Sequence, residues 1–111
     1  MAEPRYALVF SVALALSGLA AAADPAASGG NGEALFAARC GACHFEEGMG
    51  SNVLAKRLGP ERALLAQRDD LNAEYVRLVV RRGMGMMPFL TRVDVPDAEL
   101  EAITGWLTRQ R

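Results

Sequence analysis

Apolar residues are distributed along this chain in two distinct ways. Between residues 6 and 20 they are almost unbroken, interrupted only by Ser11, Ser17 and Gly18. Beyond that run they recur at helical spacing in three stretches separated by Gly, Pro and Asn. The first predicts a helix over 32–43 with Asn31 as N-cap. Phe36, Cys40, Cys43 and His44 follow one another at i, i+4, i+7 and i+8, and so share a face. The second predicts a helix over 73–82, capped by Asn72, with Tyr75, Val76, Val79 and Val80 as its buried stripe and Gly83 just past its end. The third predicts a helix over 97–109. Leu100, Ile103 and Leu107 form its apolar stripe, Trp106 flanks it, and acids lead while arginines trail, as the helix dipole favours. Residues 48–71 show no such period and read as irregular, apart from a possible short helix with Pro60 at its first position. Neither strand alternation nor an internal repeat is visible. The expected fold class is all-α.

The unbroken apolar run belongs to a different kind of segment. Seventeen of the first 23 residues are apolar, Arg5 precedes the run, and Ala21-Ala22-Ala23 then Asp24-Pro25 follow it. This pattern predicts a secretory signal peptide over 1–23, cut before Asp24, and hence a periplasmic protein. The alternative is a retained anchor, since 6–23 reaches the lower limit for a span; membrane association is expected only in that case. Residues 24–31, rich in Pro, Ala, Ser and Gly, read as a linker, and 32–111 as the single folded domain.

Charge and composition narrow the function. Twelve Lys and Arg against thirteen Asp and Glu leave a net charge of −1, with no basic excess for binding nucleic acid. A domain of this size buries too little surface to be comfortable alone and calls for a staple or a cofactor. With two Cys and one His, a four-ligand zinc site and a four-thiolate iron–sulfur cluster are both excluded within the chain. What remains is Cys40-Gly41-Ala42-Cys43-His44. Its spacing suits covalent haem attachment, each thiol adding across one vinyl group while the adjacent His reaches the iron. A redox Cys-x-x-Cys is the competing reading, but it needs a βαβ scaffold that the pattern does not predict. Haem c is therefore the expected cofactor, one per chain.

Around that motif, Gly32-x-x-x-Phe36-x-x-x-Cys40-x-x-Cys43-His44 resembles the first helix of the class I cytochromes c, and the likeness extends over nearly all of the domain. The resemblance implies a small cytochrome c fold, three main helices wrapped around the haem. It implies that Gly32 lets the first and last helices cross closely beside an aromatic, here Trp106. Gly59-Pro60 is similar to the family's Gly-Pro after the haem motif, whose Pro carbonyl accepts the proximal His ring N–H; Pro60 is thus expected to support His44.

With a single His, bis-histidine ligation within the chain is excluded, and Met is the next expectation for the sixth ligand. Met49 lies too close to His44 to reach the opposite haem face. Met84, Met86 and Met87 remain, in Gly83-Met84-Gly85-Met86-Met87-Pro88-Phe89. In the family the iron-binding Met often directly precedes Pro, which selects Met87, with Met86 as the alternative. Pro88 also biases Met87 toward extended backbone. Arg77, Arg81, Arg82 and Arg92 flank this strap without an intervening acid, so a positive docking surface is one expectation and an ordinary solvated helix face the other. A Met/His haem has no open iron position, so the expected role is single-electron transfer with redox protein partners, not catalysis. Leu54 to Pro60, Tyr75 to Gly83 and Met87-Pro88-Phe89 are similar to the small cytochrome subunits of phenol-oxidising flavocytochromes, which implies a flavoprotein as electron donor. Two alternatives stand beside it: a general carrier between another periplasmic dehydrogenase and a terminal oxidase, and a haem sensor or catalyst with a labile sixth ligand.

Overall fold

The computed structural model describes residues 31–109. The expected signal peptide, and the linker up to residue 30, lie outside the described residues. Five helices organise the domain: α1 Gly32–Arg39, α2 Gly41–His44, α3 Met49–Leu58, α4 Ala73–Arg82 and α5 Asp97–Leu107. Two 3₁₀ turns, Pro60–Arg62 and Leu65–Gln67, carry the chain from α3 to α4. Among the described residues there is no strand, only an isolated bridge between Met84 and Met87. Among the described residues, no helix is long and apolar enough to cross a membrane.

The core forms where α1, α4 and α5 turn their apolar stripes together. Phe36, Val76, Val80, Val95, Leu100, Ile103 and Leu107 are all buried there. Phe36 is 1% exposed and its ring sits 5.1 Å from that of Trp106. The expected close crossing of the terminal helices is present. A Cβ on Gly32 would collide with the carbonyl oxygen of Ala102 and stand 2.6 Å from Cβ of Trp106. Arg39 adds a two-pronged ion pair to Glu99, at 2.8 and 3.1 Å, across the same crossing.

Helix α4 begins and ends as its sequence predicts. Asn72 Oδ1 accepts the Tyr75 N–H at 2.8 Å, and Gly83 ends the helix at φ 75°. Its buried stripe is narrower than expected: Val76 and Val80 are buried and Val79 is half-buried, but Tyr75 is 45% exposed. At about 100° per residue, Tyr75 lies about a third of a turn off the Val76–Val80 line.

Two boundaries differ from expectation. The predicted helix over 32–43 is interrupted at Cys40 (φ −119°, ψ −22°), and Gly41–His44 restarts as a separate turn. Helix α3 occupies a stretch read as irregular. Its first turn, Met49-Gly50-Ser51-Asn52, has poor helix formers and no side-chain cap, and only Ser51 is buried, so no amphipathic signal marks it. It forms where packing supports it, with its N-terminus laid against Cys43 and His44 and its end set by Gly59 at φ 99°.

Candidate haem-binding site

Two segments carry the site residues. In the first, the Cys40 N–H donates to the Phe36 carbonyl at 2.8 Å, closing α1, and the Cys40 carbonyl accepts from Cys43 N (3.1 Å) and His44 N (3.0 Å), opening α2. The pentapeptide is thus a compact turn pinned at its first residue. Cys40 is half-buried against the core, Cys43 is exposed, and both are free thiols. Burial, with Cys43 nearby, pushes the Cys40 thiol up to about 11, so it stays protonated at neutral pH.

His44 opens onto a cleft of about 370 Å³ lined with Phe45, Leu64, Ala66 and Gln67. Burial lowers its pKa and favours the neutral imidazole, the form in which a ring nitrogen ligates metal. Nδ1 is sealed inside with no hydrogen-bond partner among the described residues. The expected bond from His44 to the Pro60 carbonyl is therefore not made. Pro60 instead opens a 3₁₀ turn, and its carbonyl accepts the Ala63 N–H at 3.3 Å. A different residue lies against the ring. A Cβ at Gly50 would stand 3.0 Å from Cε1 and 3.2 Å from Nδ1 of His44, and 2.8 Å from the Cys43 carbonyl oxygen. Gly50 lies in the stretch read as irregular, and only its two-residue distance from Gly48, in a loop just past the motif, hinted at a close approach.

The second segment is the strap over 83–90. Met84 and Met87 exchange both backbone hydrogen bonds, at 3.0 and 2.9 Å, around Gly85 and Met86. Gly85 has φ 57° and Met86 does not share the positive φ, the pattern of a type II′ hairpin turn. This turn separates the three methionines. Met86 is at the tip, 68% exposed; the Met84 sulfur accepts the Tyr75 hydroxyl at 3.4 Å; Met87 alone packs against the core cluster, which Cys40 also borders.

Three of the four arginines are engaged in ion pairs. Arg77 pairs with Glu101 (2.6 Å), while Arg81 and Arg92 both pair with Asp97 (2.7 Å each). Only Arg82 makes no ion pair with the described residues. Both acids lie on α5, beyond the stretch from Arg77 to Arg92 that contains none, which is why the strap region looked unopposed.

The donor set fits haem c. It offers two thiols at the attachment spacing, a half-buried imidazole that Gly50 approaches closely, and a thioether at the edge of the same core. Exposed apolar side chains on the same segments, Phe45 and Met49 beside His44, and Phe89 beside Met87, suit a large apolar ring. Fold and donors together define a class I c-type cytochrome. A protein-family model described as cytochrome C oxidase, cbb3-type, subunit III matches residues 27–107, and the chain belongs to this family. Comparison with curated proteins and with solved structures finds no match. The family gives the domain one covalently bound haem c and the work of an electron carrier, not an enzyme by itself.

Proposed function

We propose that Cys40 and Cys43 hold the haem through thioethers, that His44 is its proximal ligand, and that Met87 is the distal one. The observation that carries the distal assignment is the sorting of the methionines by the Met84–Met87 turn: one sulfur is engaged by Tyr75, one side chain is at the tip, and one is packed inward. When bound, the haem supplies a one-electron couple, and Met ligation raises its potential. The protein's part is to hold His44 neutral, keep Met87 in place and bury the macrocycle's edge among apolar side chains.

Residues 1–23 are read as a signal removed on export, which makes this a periplasmic carrier serving redox protein partners. Its donor is taken to be a flavoprotein that oxidises phenols, on the likeness of the Leu54–Pro60, Tyr75–Gly83 and Met87–Phe89 stretches. The family description names a terminal oxidase subunit, which favours the second reading of a general carrier feeding such an oxidase. Visible spectra of the ferric, ferrous and CO-treated ferrous protein test the site. A sulfur-to-iron charge-transfer band is expected in the wild type and in Met86→Ala, and its loss with a lowered potential in Met87→Ala. Retention in Met87→Ala with loss in Met86→Ala moves the ligand to Met86. A wild type without the band but with a CO-shifted spectrum replaces electron transfer by sensing or catalysis. For the donor, co-purification of a flavin-containing subunit whose reoxidation this protein accelerates separates the dedicated partner from the general carrier.

A further inference from the structure

We propose that Arg81 is a positioning residue for the distal ligand, holding the strap over 83–90 in the conformation that keeps Met87 inward. This rests on the Met87 assignment above. Arg81 lies in the last turn of α4, two residues before Gly83, with its side chain 22% exposed. Its guanidinium reaches four acceptors, one at the end of the strap and three beyond it. Nη1 donates to the carbonyls of Leu90 and Thr91, at 3.1 Å each; Nη2 donates to the Val95 carbonyl at 2.9 Å and to Asp97 Oδ1 at 2.7 Å. Residues 88–96 belong to no helix; the Thr91 carbonyl also accepts the Val95 N–H at 3.0 Å, while those of Leu90 and Val95 have no helical ladder to satisfy them.

The strap is consequently fastened at both ends to one helix. It leaves α4 at Gly83, where a Cβ would stand 2.7 Å from the Met87 carbonyl oxygen and 2.8 Å from the Phe89 nitrogen. It returns to α4 through the Leu90 N–H, which donates to the Val80 carbonyl at 2.8 Å, and through the Arg81 fork. Met87 stands between, three residues from Leu90. A planar guanidinium spreads five donors over a fork and can serve four separated acceptors, whereas an ammonium has three donors on one nitrogen and cannot reach all four. Arg77, one helical turn earlier, bonds only Glu101 on α5 among the described residues and leaves the strap alone. It is the natural control.

The test compares haem-loaded wild type, Arg81→Lys and Arg77→Lys by the sulfur-to-iron band and by the rate of cyanide binding to the ferric protein. Arg81→Lys is expected to keep its haem and helical circular dichroism while its band weakens and cyanide binds about tenfold faster, the factor expected when roughly one charged hydrogen-bond contribution is lost from the closed strap. Arg77→Lys is expected to match the wild type in both. A wild-type band and cyanide rate in Arg81→Lys overturn the inference and leave Arg81 a structural residue only. Should Arg81→Lys fail to accumulate, Asp97→Asn removes the fork's carboxylate while the chain bonds remain; a cyanide rate about threefold faster supports the inference, and an unchanged rate overturns it. Absence of the band from the wild type overturns the Met87 assignment and this inference together, whereas a band present in the wild type and unaltered in Arg81→Lys overturns this inference alone.

Discussion

At the scale of single residues, the proximal side depends on what is missing at position 50. Two opposed effects act there. Alanine in a helix is favoured over glycine by about 1 kcal/mol at most, and by less so near the N-terminus of α3. Against that, the added methyl meets the Cys43 carbonyl oxygen at 2.8 Å and the His44 ring at 3.0 Å. The carbonyl belongs to the pinned turn and cannot swing aside, and overpacking of this kind costs about 1–3 kcal/mol. The clash prevails, so Gly50→Ala is expected to destabilise the protein by about 1 kcal/mol in denaturant unfolding. A stability equal to or above wild type shows instead that the Cys43–His44 turn yields without cost. The pair Gly32 and Phe36 was legible through the resemblance of Gly32-x-x-x-Phe36 and the motif after it to the first helix of the class I cytochromes c. Gly50 was not, because its constraint comes from a neighbour across a turn.

Among elements, the α1–α5 crossing brings the two ends of the domain together. Gly32 stands at the first position of α1, where helix propensity matters little, and its missing side chain lets the Ala102 carbonyl and the Trp106 Cβ approach. Both obstacles are at or next to the backbone. Gly32→Ala must therefore separate the helices, pulling Phe36 from Trp106 and stretching the Arg39–Glu99 pair. A loss of about 2–3 kcal/mol is expected in denaturant unfolding; a loss under about 0.5 kcal/mol, the usual effect of a surface change, contradicts the crossing. Helix α3 makes the opposite point about legibility. Its residues carry neither cap nor stripe, so periodicity could not find it, and contacts with α2 and the Pro60 turn decide that it forms.

For the whole molecule, ion pairs join helices and loops and make stability depend on acid. Asp70 receives hydrogen bonds from Arg68, at 2.7 and 2.9 Å, and from Arg62, which hold its carboxyl well below the usual carboxylate range. Asp97, Glu99 and Glu101 are shifted down as well, each by its arginine partner. A lowered folded-state pKa contributes stability above the unfolded value, about 4 for carboxylates, and that contribution is lost as pH falls below it. Asp70→Asn should therefore melt below wild type at pH 7, and the gap should narrow as pH drops from about 4 toward 2. A gap that is constant across that range places the effect of Asp70 in packing. The same pairing engages three of the four arginines around the strap: Arg77 with Glu101, and Arg81 and Arg92 with the single carboxylate of Asp97.

What the sequence determined by itself was the chemistry available and the helices with strong local signals. Cys40, Cys43 and His44 form a motif within five consecutive residues, so its spacing, with zinc and a cluster excluded by ligand count, sufficed to expect haem, and the family match to residues 27–107 agrees. Helix α4 was legible because Asn72, its valine stripe and Gly83 all act within a few residues of one another. Tertiary structure decided whatever depends on partners remote in sequence. It broke the first helix at Cys40, set Gly50 rather than the Pro60 carbonyl beside His44, and brought acids from α5 to the arginines. It also sorted three chemically identical methionines by their surroundings, since a thioether carries no local signal of whether it will face a tyrosine hydroxyl, solvent or the core.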